Sequence, residues 1–473
     1  MSKYRSLIKD VFIFALGSIG SKAIVFLLVP IYTNILTSEQ YGTADLVLTI
    51  SQLLMPIMSL AVYNAVMRYG LEKREEPEDT LLIGIIVWIL GSILLLLLIP
   101  IINMYDSISK WKAYLYLYTS ASILLAISQN YLKVKNQNFK YSLVSILQTA
   151  VLALSNIVFL VILKKDVQGY LFSNVIASIL ATLFAFISGG FITDLKKAHF
   201  DQGLLSKMLK YSAPLVLNNI AWWVIQSSDK IMIESFVGAT ALGLYTVATR
   251  IPSLINVAVS VFQEAWNISS IVELESEESN ESSSSFYSNV FQVYTIGIFF
   301  VCIVINSLIK PFMRIYVGKE FFQSWTLIPL LVVSAAAFSA VSAFFGAIYG
   351  ALKKSINNML STLLAGILNV VINALCIPYL GALGAIVGTL SAYFFLAMFR
   401  MIDILRFVKI KIDLKLYAIN CILLIIDALF ITLDFHIYIV SIITFVLFVI
   451  FNKTFMLLLI TKTREFLIMR GKK

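Results

Sequence analysis

The chain has 473 residues, of which 60% are hydrophobic and 13% charged, with a net charge of +10 and a mean hydropathy of +0.91. A water-soluble domain carries about 45–50% apolar and about 25% charged residues, so a soluble globular protein is excluded and the length does not count soluble domains. The apolar residues instead gather in runs long enough to cross roughly 30 Å of hydrocarbon at about 1.5 Å per residue.

In chain order these runs place helices near 11–36, 42–69, 81–104, 113–132, 141–163 and 169–192. The first run, Val11 to Leu36, is too long for the apolar core of a signal peptide and lacks a small-residue cleavage site, so it is expected to stay as the first span. After a polar stretch, further runs fall near 211–233, 240–271, 287–309, 326–350, 356–378 and 382–405, and a last pair near 416–433 and 438–461. The expectation is an all-α polytopic membrane protein of about fourteen transmembrane helices in the pattern six, six, two. It divides into an N-lobe (1–192), a linker (193–210), a pseudo-symmetric C-lobe (211–405) and a final helix pair with a basic tail (406–473).

The connections carry their own signals. Thr193 to Lys210 sets Leu204, Leu205, Met208 and Leu209 on one helical face, which predicts an interfacial cytoplasmic helix joining the lobes. Glu273 to Ser285, with five glutamates and six serines, cannot bury apolar surface and predicts a mobile cytoplasmic loop. Lys and Arg concentrate in alternate loops and the tail; Lys110, Lys112, Lys164, Lys165, Lys310, Arg314 and Lys319 form the smaller set on the other side. The positive-inside rule then puts both termini in the cytoplasm. That asymmetry, facing anionic head groups, accounts for the net charge without a nucleic-acid partner.

An internal repeat is visible. Leu36-Thr-Ser-Glu-Gln-Tyr-Gly42 is matched by Val237-Gly-Ala-Thr-Ala-Leu-Gly243 at an offset of 201 (237 − 36), and Gly169-Tyr-Leu by Gly384-Ala-Ile at 215 (384 − 169). Asn156 and Asn373 stand at matching points of helices five and eleven. Copies separated by six helices share one orientation, which implies an axis along the membrane normal and a central cavity between the lobes.

Nothing in the sequence points to an enzyme, and none is expected. Cys302, Cys376 and Cys421 form no C-x-x-C pair and read as packed thiols, and two histidines, His199 and His436, cannot make a zinc constellation. No Walker A sequence occurs, so neither nucleotide hydrolysis nor a metal or other cofactor is expected.

Four stretches together carry a family resemblance: Phe14-Ala-Leu-Gly17 through Pro30-Ile-Tyr-Thr33, the Leu36 to Gly42 segment, Leu209-Lys-Tyr-Ser-Ala-Pro-Leu215, and Gly381-Ala-Leu-Gly-Ala-Ile-Val-Gly388. The chain resembles the polysaccharide-export and oligosaccharide-flippase (Wzx-type) branch of the multidrug/oligosaccharidyl-lipid/polysaccharide flippase superfamily. The resemblance implies two six-helix lobes that alternate access in the bacterial cytoplasmic membrane. They would carry an undecaprenyl-pyrophosphate-linked repeat unit to the outer leaflet, alongside a polysaccharide polymerase or glycosyltransferases. Peptidoglycan-precursor flippases and cation-coupled multidrug antiporters of the same superfamily remain alternatives.

A charge at bilayer depth costs at least about 2.5–3.5 kcal/mol and is expected to face a cavity or a partner. Lys22, Arg68, Lys230 and Arg250 are the candidate cationic lining that would hold a lipid pyrophosphate through charge-assisted hydrogen bonds. Lys22 and Arg250 are similar in place to the cationic residues in helices one and eight of peptidoglycan-precursor flippases. Asp45, Asp229 and Glu264 are candidates for ion coupling or pairing. Blander readings stand beside these: Arg68 reaching the cytoplasmic surface, and Asp45 paired with Lys22. Asp229 and Lys230, adjacent on a helix, point about 100° apart and cannot both face one cavity centre. Arg250 and Glu264, fourteen residues apart, share a face.

Asp403 and Arg406 read as interface anchors, and Asp427 as a residue bound to a helix neighbour. Lys310, Arg314 and Lys319 either receive the emerging head group or form a solvated loop. Trp222, Trp223, Tyr245 and Trp266 either stack on sugars or belong to interface belts and packing. Gly346-x-x-x-Gly350 and Gly384-x-x-x-Gly388 predict close helix contacts.

Overall fold

The computed structural model describes residues 20, 23–72, 75–275 and 280–453, less the side chains of residues 264, 268, 272, 275, 280–283 and 355. All regular structure in this range is helical. The helices are α1 (Ala23–Ile35), α2 (Ser38–Met58), α3 (Val62–Gly70), α4 (Pro77–Leu97), α5 (Lys112–Val134), α6 (Asn138–Ile162), α7 (Asp166–Gly189) and α8 (Gln202–Phe236). They continue with α9 (Ala239–Ala248), α10 (Arg250–Glu275), α11 (Asn280–Tyr316), α12 (Ile328–Ala351), α13 (Ser355–Leu380), α14 (Ala382–Ile404), α15 (Leu414–Thr432) and α16 (Ile437–Phe451).

Helix is present at each of the fourteen expected places, but the count of spans differs. Among the described residues nine helices are long and apolar enough to cross a membrane, ten if the bent pair α2–α3 is one span. Described α1 and α16 are short. The other two helices, α5 and α8, are diluted by polar side chains turned into the protein, such as Thr119, Ser128, Ser227 and Asp229. Polar residues within spans usually face the bundle interior, as Ser227 and Asp229 of α8 do.

One predicted helix is broken. The run 42–69 divides into α2 and α3, bent by 53°. The Ala61 N–H donates to the Pro56 carbonyl at 3.0 Å and the Leu60 N–H to the Ile57 carbonyl at 3.3 Å, the paired closure of a Schellman motif. Leu60 (φ 48°) and Ala61 (φ 51°) occupy the left-handed region there, without the glycine that usually announces such a stop. Gly91 of α4 crosses at this point; a Cβ on it would collide with the Met58 carbonyl oxygen.

The described residues form two compact units, one ending at Thr246 and one beginning at Val247. In the first, α6 and α7 form a tightly packed hairpin, α5 lies against α7 and α3, and α4 closes over α3 and α5. Val66, Leu81, Ile127, Tyr131 and Phe191 are buried at this core. In the second, α13 and α14 form the matching hairpin, α12 packs on α10 and α14, and α11 carries α15 and α16.

The polar connections differ from expectation. Thr193–Lys210 does not contain a separate interfacial helix: Asp201 caps α8 by accepting from the Gly203 N–H at 2.7 Å, and the helix runs unbroken to Phe236. Leu204 and Met208 are buried in the first unit's core, with Leu205 and Leu209 packed beside them. Of the Glu/Ser stretch, α10 extends to Glu275 and α11 begins at Asn280, so most of the expected loop is helical; residues 276–279 lie outside the described residues. An established helix continues past its apolar part by adding one hydrogen bond per residue.

The glycine pairs divide. In α14 a Cβ on Gly384 would strike the Cys376 carbonyl of α13, and Gly388 meets Asn373 and the Asn369 carbonyl. Gly346 has another reason: a Cβ there would lie 2.8 Å from Nη1 of Arg400, while Gly350 has open space. Sequence reasoning passed over Arg400. It is buried in α14 and donates to the Ser342 carbonyl (2.9 Å), Ser361 Oγ (3.1 Å) and Thr362 Oγ1 (2.8 Å).

Candidate functional site

The segment Leu36 to Gly42 is a helix start rather than a linker. Thr37 is the N-cap of α2: its N–H donates to Gln40 Oε1 at 3.0 Å and its hydroxyl accepts from the Gln40 N–H at 3.2 Å, a capping box. This fixes Gly42 and Asp45 inside the first turns of α2. A Cβ on Gly42 would collide with the Ala239 carbonyl oxygen of α9, and one on Gly243 with the Ser38 carbonyl oxygen. The two contacts are reciprocal, because 239 − 38 and 243 − 42 both equal 201, the repeat offset. Self-complementary contact of this kind is what copies related by a twofold axis make.

One turn deeper, five polar side chains meet. Asp45 is 5% exposed and accepts from Lys230 Nζ of α8 at 2.7 Å and from Thr246 Oγ1 of α9 at 3.0 Å. Thr246 is itself the repeat equivalent of Asp45 (246 − 45 = 201). Asp229 is 7% exposed; its carboxylate accepts from the Tyr245 hydroxyl and from the Lys230 backbone N–H at 2.8 Å. The expected angle between Asp229 and Lys230 is used rather than wasted: one side chain reaches α2, the other α9. Burial makes the ion pair sensitive to loss of either partner, since an uncompensated charge would remain in a low-dielectric interior.

Further polar contacts stitch α8 antiparallel along α2 and α3. Trp223 Nε1 donates to the Thr49 carbonyl (3.0 Å), Asn219 Nδ2 to the Tyr63 hydroxyl (3.3 Å), and the Tyr69 hydroxyl to the Lys207 carbonyl (3.3 Å). Trp223 is thereby committed to packing. Trp266 is buried, donating to the Phe344 carbonyl at 3.0 Å and stacked on that ring, whereas Trp222 is exposed.

The remaining predicted residues are placed elsewhere. Arg68 stands at the end of α3, its side chain 54% exposed, paired with Glu72 at 2.7 Å. Arg250 opens α10 in the second unit and is half-buried. Lys22 and the side chain of Glu264 lie outside the described residues. Asp403 accepts from Tyr349 (2.7 Å) and Asn357 (2.9 Å), with Arg406 at 3.5 Å. Lys310 pairs with Asp434 at 2.6 Å and lies over the Trp325 ring, and Arg314 lies over Phe322.

In the first unit the loops alternate between ends. The turns before α2, before α5, before α7 and before α9 line one cavity of about 710 Å³ that includes Glu39, Asp106, Lys110, Lys165 and Glu234. At the other end Lys135 pairs with Asp194 (2.6 Å) and Lys207 with Glu75 (2.8 Å), and Lys140 donates to the Ser188 carbonyl (2.5 Å).

A family model described as "Polysaccharide biosynthesis protein" matches residues 7–266, more than half of the chain and the part that holds this polar layer. The chain belongs to that family. It is 22% identical over 262 residues to "Lsg locus putative protein 1" of Haemophilus influenzae, a match covering 54% of this chain and 64% of that protein. Its fold is similar to that of a lipid II flippase, MurJ, in an inward closed conformation, with a TM-score of 0.69 at 14% identity over 95% of this chain and 100% of the other. It is also similar to a transporter of the MOP superfamily from Pyrococcus furiosus (TM-score 0.58, 14% identity, 84% and 95% covered). A multidrug resistance MATE family transporter of that superfamily gives 0.59 at 14% identity, with 81% and 98% covered. At such identities these likenesses show the fold: a multi-pass helical membrane protein of the MurJ and MATE type.

Proposed function

We propose that the protein is a flippase that carries a polyprenyl-pyrophosphate-linked oligosaccharide, a polysaccharide repeat unit, from the inner to the outer leaflet of the bacterial cytoplasmic membrane by alternating access. The observation that carries the reading is the buried layer of Asp45, Lys230, Thr246, Asp229 and Tyr245 inside the part matched to the polysaccharide biosynthesis family.

In this reading Lys230 exchanges partners. While Asp45 holds it, the ammonium is compensated; a pyrophosphate arriving at the layer replaces the carboxylate with a second anion, so the lysine never stands alone in low dielectric. Asp45 keeps the Thr246 hydroxyl as donor when the lysine leaves. Lys22 and Arg250 are proposed as further cations for the anionic substrate, and Arg68, exposed at the end of α3, attracts the substrate from the membrane surface. Both termini face the cytoplasm, and the four-loop cavity opens outside, where a polymerase consumes the product and draws transport forward.

The test uses liposomes holding the purified protein and a short-chain polyprenyl-pyrophosphate oligosaccharide. Protection of outside sugar from a membrane-impermeant enzyme should be faster with the protein than without it, and slowed at least tenfold by Lys230→Ala or Arg250→Ala. Native rates in both variants would remove the cationic mechanism. No acceleration by the native protein, with gradient-driven efflux of a cationic dye in the same liposomes, would replace flipping with drug antiport.

A further inference from the structure

A second buried carboxyl lies outside the layer described above, in the last helix pair. Asp427, in the second half of α15, is fully buried. It has the helix neighbour that its position suggests, accepting from Thr444 Oγ1 of α16 at 2.9 Å through Oδ1. That hydroxyl has one proton, and it is also within 3.0 Å of the Val440 carbonyl and 3.1 Å of the Ser441 carbonyl, so the carboxyl shares even this donor. Its other oxygen, Oδ2, has no hydrogen-bond partner among the described residues.

Asn306 of α11 lies beside the Asp427 carboxyl as a marginal donor to it, short of full hydrogen-bond geometry. It too is fully buried, and neither its Nδ2 nor its Oδ1 has a partner among the described residues. Ser441 Oγ on α16 is likewise buried and unpartnered. Buried polar atoms are almost always paired, and a charge or amide left unsatisfied within a membrane bundle is costly. Asp427, Asn306 and Ser441 thus each carry an unpartnered buried oxygen, on three helices that pack together. By contrast, Asn420 and Asn452 of the same helix pair satisfy each other reciprocally at 3.1 and 2.9 Å.

A charged pair lies toward one end of these helices from this point. Lys310 follows Asn306 by one turn of α11, and Asp434 follows Asp427 by seven residues, about 10 Å of helix. These two pair at 2.6 Å where Asp434 is 54% exposed, with His436 next to them in the chain. Cys421 and Tyr417 are the titratable groups on the other side of Asp427 along α15, and α16 contributes the hydroxyls of Ser441 and Thr444.

We propose that Asp427, Asn306, Ser441 and Thr444 form a binding site for one small exchangeable cation, sodium or a proton, reached past the Lys310–Asp434 pair. A single carboxylate with neutral oxygen donors suits a monovalent ion; among the described residues no cluster of three or more His, Cys, Asp or Glu offers a divalent site. The binding does not depend on what the protein carries.

The experiment uses the full chain in nanodiscs, with sodium chloride compared to choline chloride, and infrared difference spectra between low and high pH. Sodium raising the native unfolding midpoint by a few degrees, with the rise lost in Asp427→Asn, assigns sodium. No sodium effect, with a carboxylic-acid band that titrates and is missing in Asp427→Asn, assigns the proton. The absence of both signals overturns the proposal and leaves a structural polar contact. Asn306→Ala keeps the test sharp if Asp427→Asn misfolds, because it leaves the carboxyl and its Thr444 partner in place. It should abolish the sodium rise or shift the carboxyl band; an unchanged response equally overturns the site.

Discussion

Removing the Lys230 ammonium tests the polar layer most directly. Asp45 is 5% exposed as a residue and the Lys230 side chain 19%, with 2.7 Å between Nζ and Oδ2. Breaking a buried pair by deleting one partner costs about 3–5 kcal/mol, and partial exposure of the lysine puts Lys230→Met near the low end, about 3 kcal/mol. For a unit of this size about 1 kcal/mol shifts the unfolding midpoint by about 2–4 °C, so a fall of about 6–12 °C is expected. Asp45→Asn with Lys230→Met leaves no buried charge at the pair, and the double variant should fall within about 1 kcal/mol of the native protein, since replacing a whole buried pair is often neutral. The assay is thermal unfolding of the four proteins in nanodiscs, read as a double-mutant cycle. Losses that simply add, with the double variant the least stable, would refute the claim that the pair is a buried, mutually compensating unit.

Gly42→Ala and Gly243→Ala should each destabilise by about 1–3 kcal/mol, because the new methyl meets backbone carbonyls that cannot rotate away; Gly297→Ala, with open space around it, should be neutral or stabilising by up to about 1 kcal/mol in the same melts. Arg400→Met should cost about 1–3 kcal/mol for the acceptors it strands, and Arg400→Lys should recover little, because an ammonium cannot reproduce a planar fork spread over Ser342, Ser361 and Thr362. A cysteine placed at Lys165 should be labelled in intact cells by an impermeant thiol reagent, and one placed at Glu75 only after the cells are opened; the reverse pattern would invert the proposed orientation.

The repeat shows how far sequence reasoning reached. Seven matched positions at an offset of 201 are a thin signal in an apolar chain, yet Gly42 and Gly243 prove to sit against Ala239 and Ser38 in reciprocal fashion. Small residues were legible because only they allow such close backbone approach. Gly346 was read the same way and had a different cause, the guanidinium of Arg400, which lay unnoticed in an otherwise apolar span.

Composition and spacing alone determined the membrane class and the placement of the helices, and singled out Asp45, Asp229 and Asp427 as charges within spans, since each of these depends on residues near one another in the chain. Helix boundaries and partners were decided only in three dimensions. Nothing local distinguishes Leu60 as a left-handed stop, because the bend is made where α4 brings Gly91 against Met58. Nor can spacing tell that Lys230 meets Asp45, 185 residues away, or that Asn306 comes to lie beside Asp427. Those pairings follow from which helices pack side by side and how each is rotated about its axis, and both are set by the summed fit of whole apolar faces rather than by any one segment.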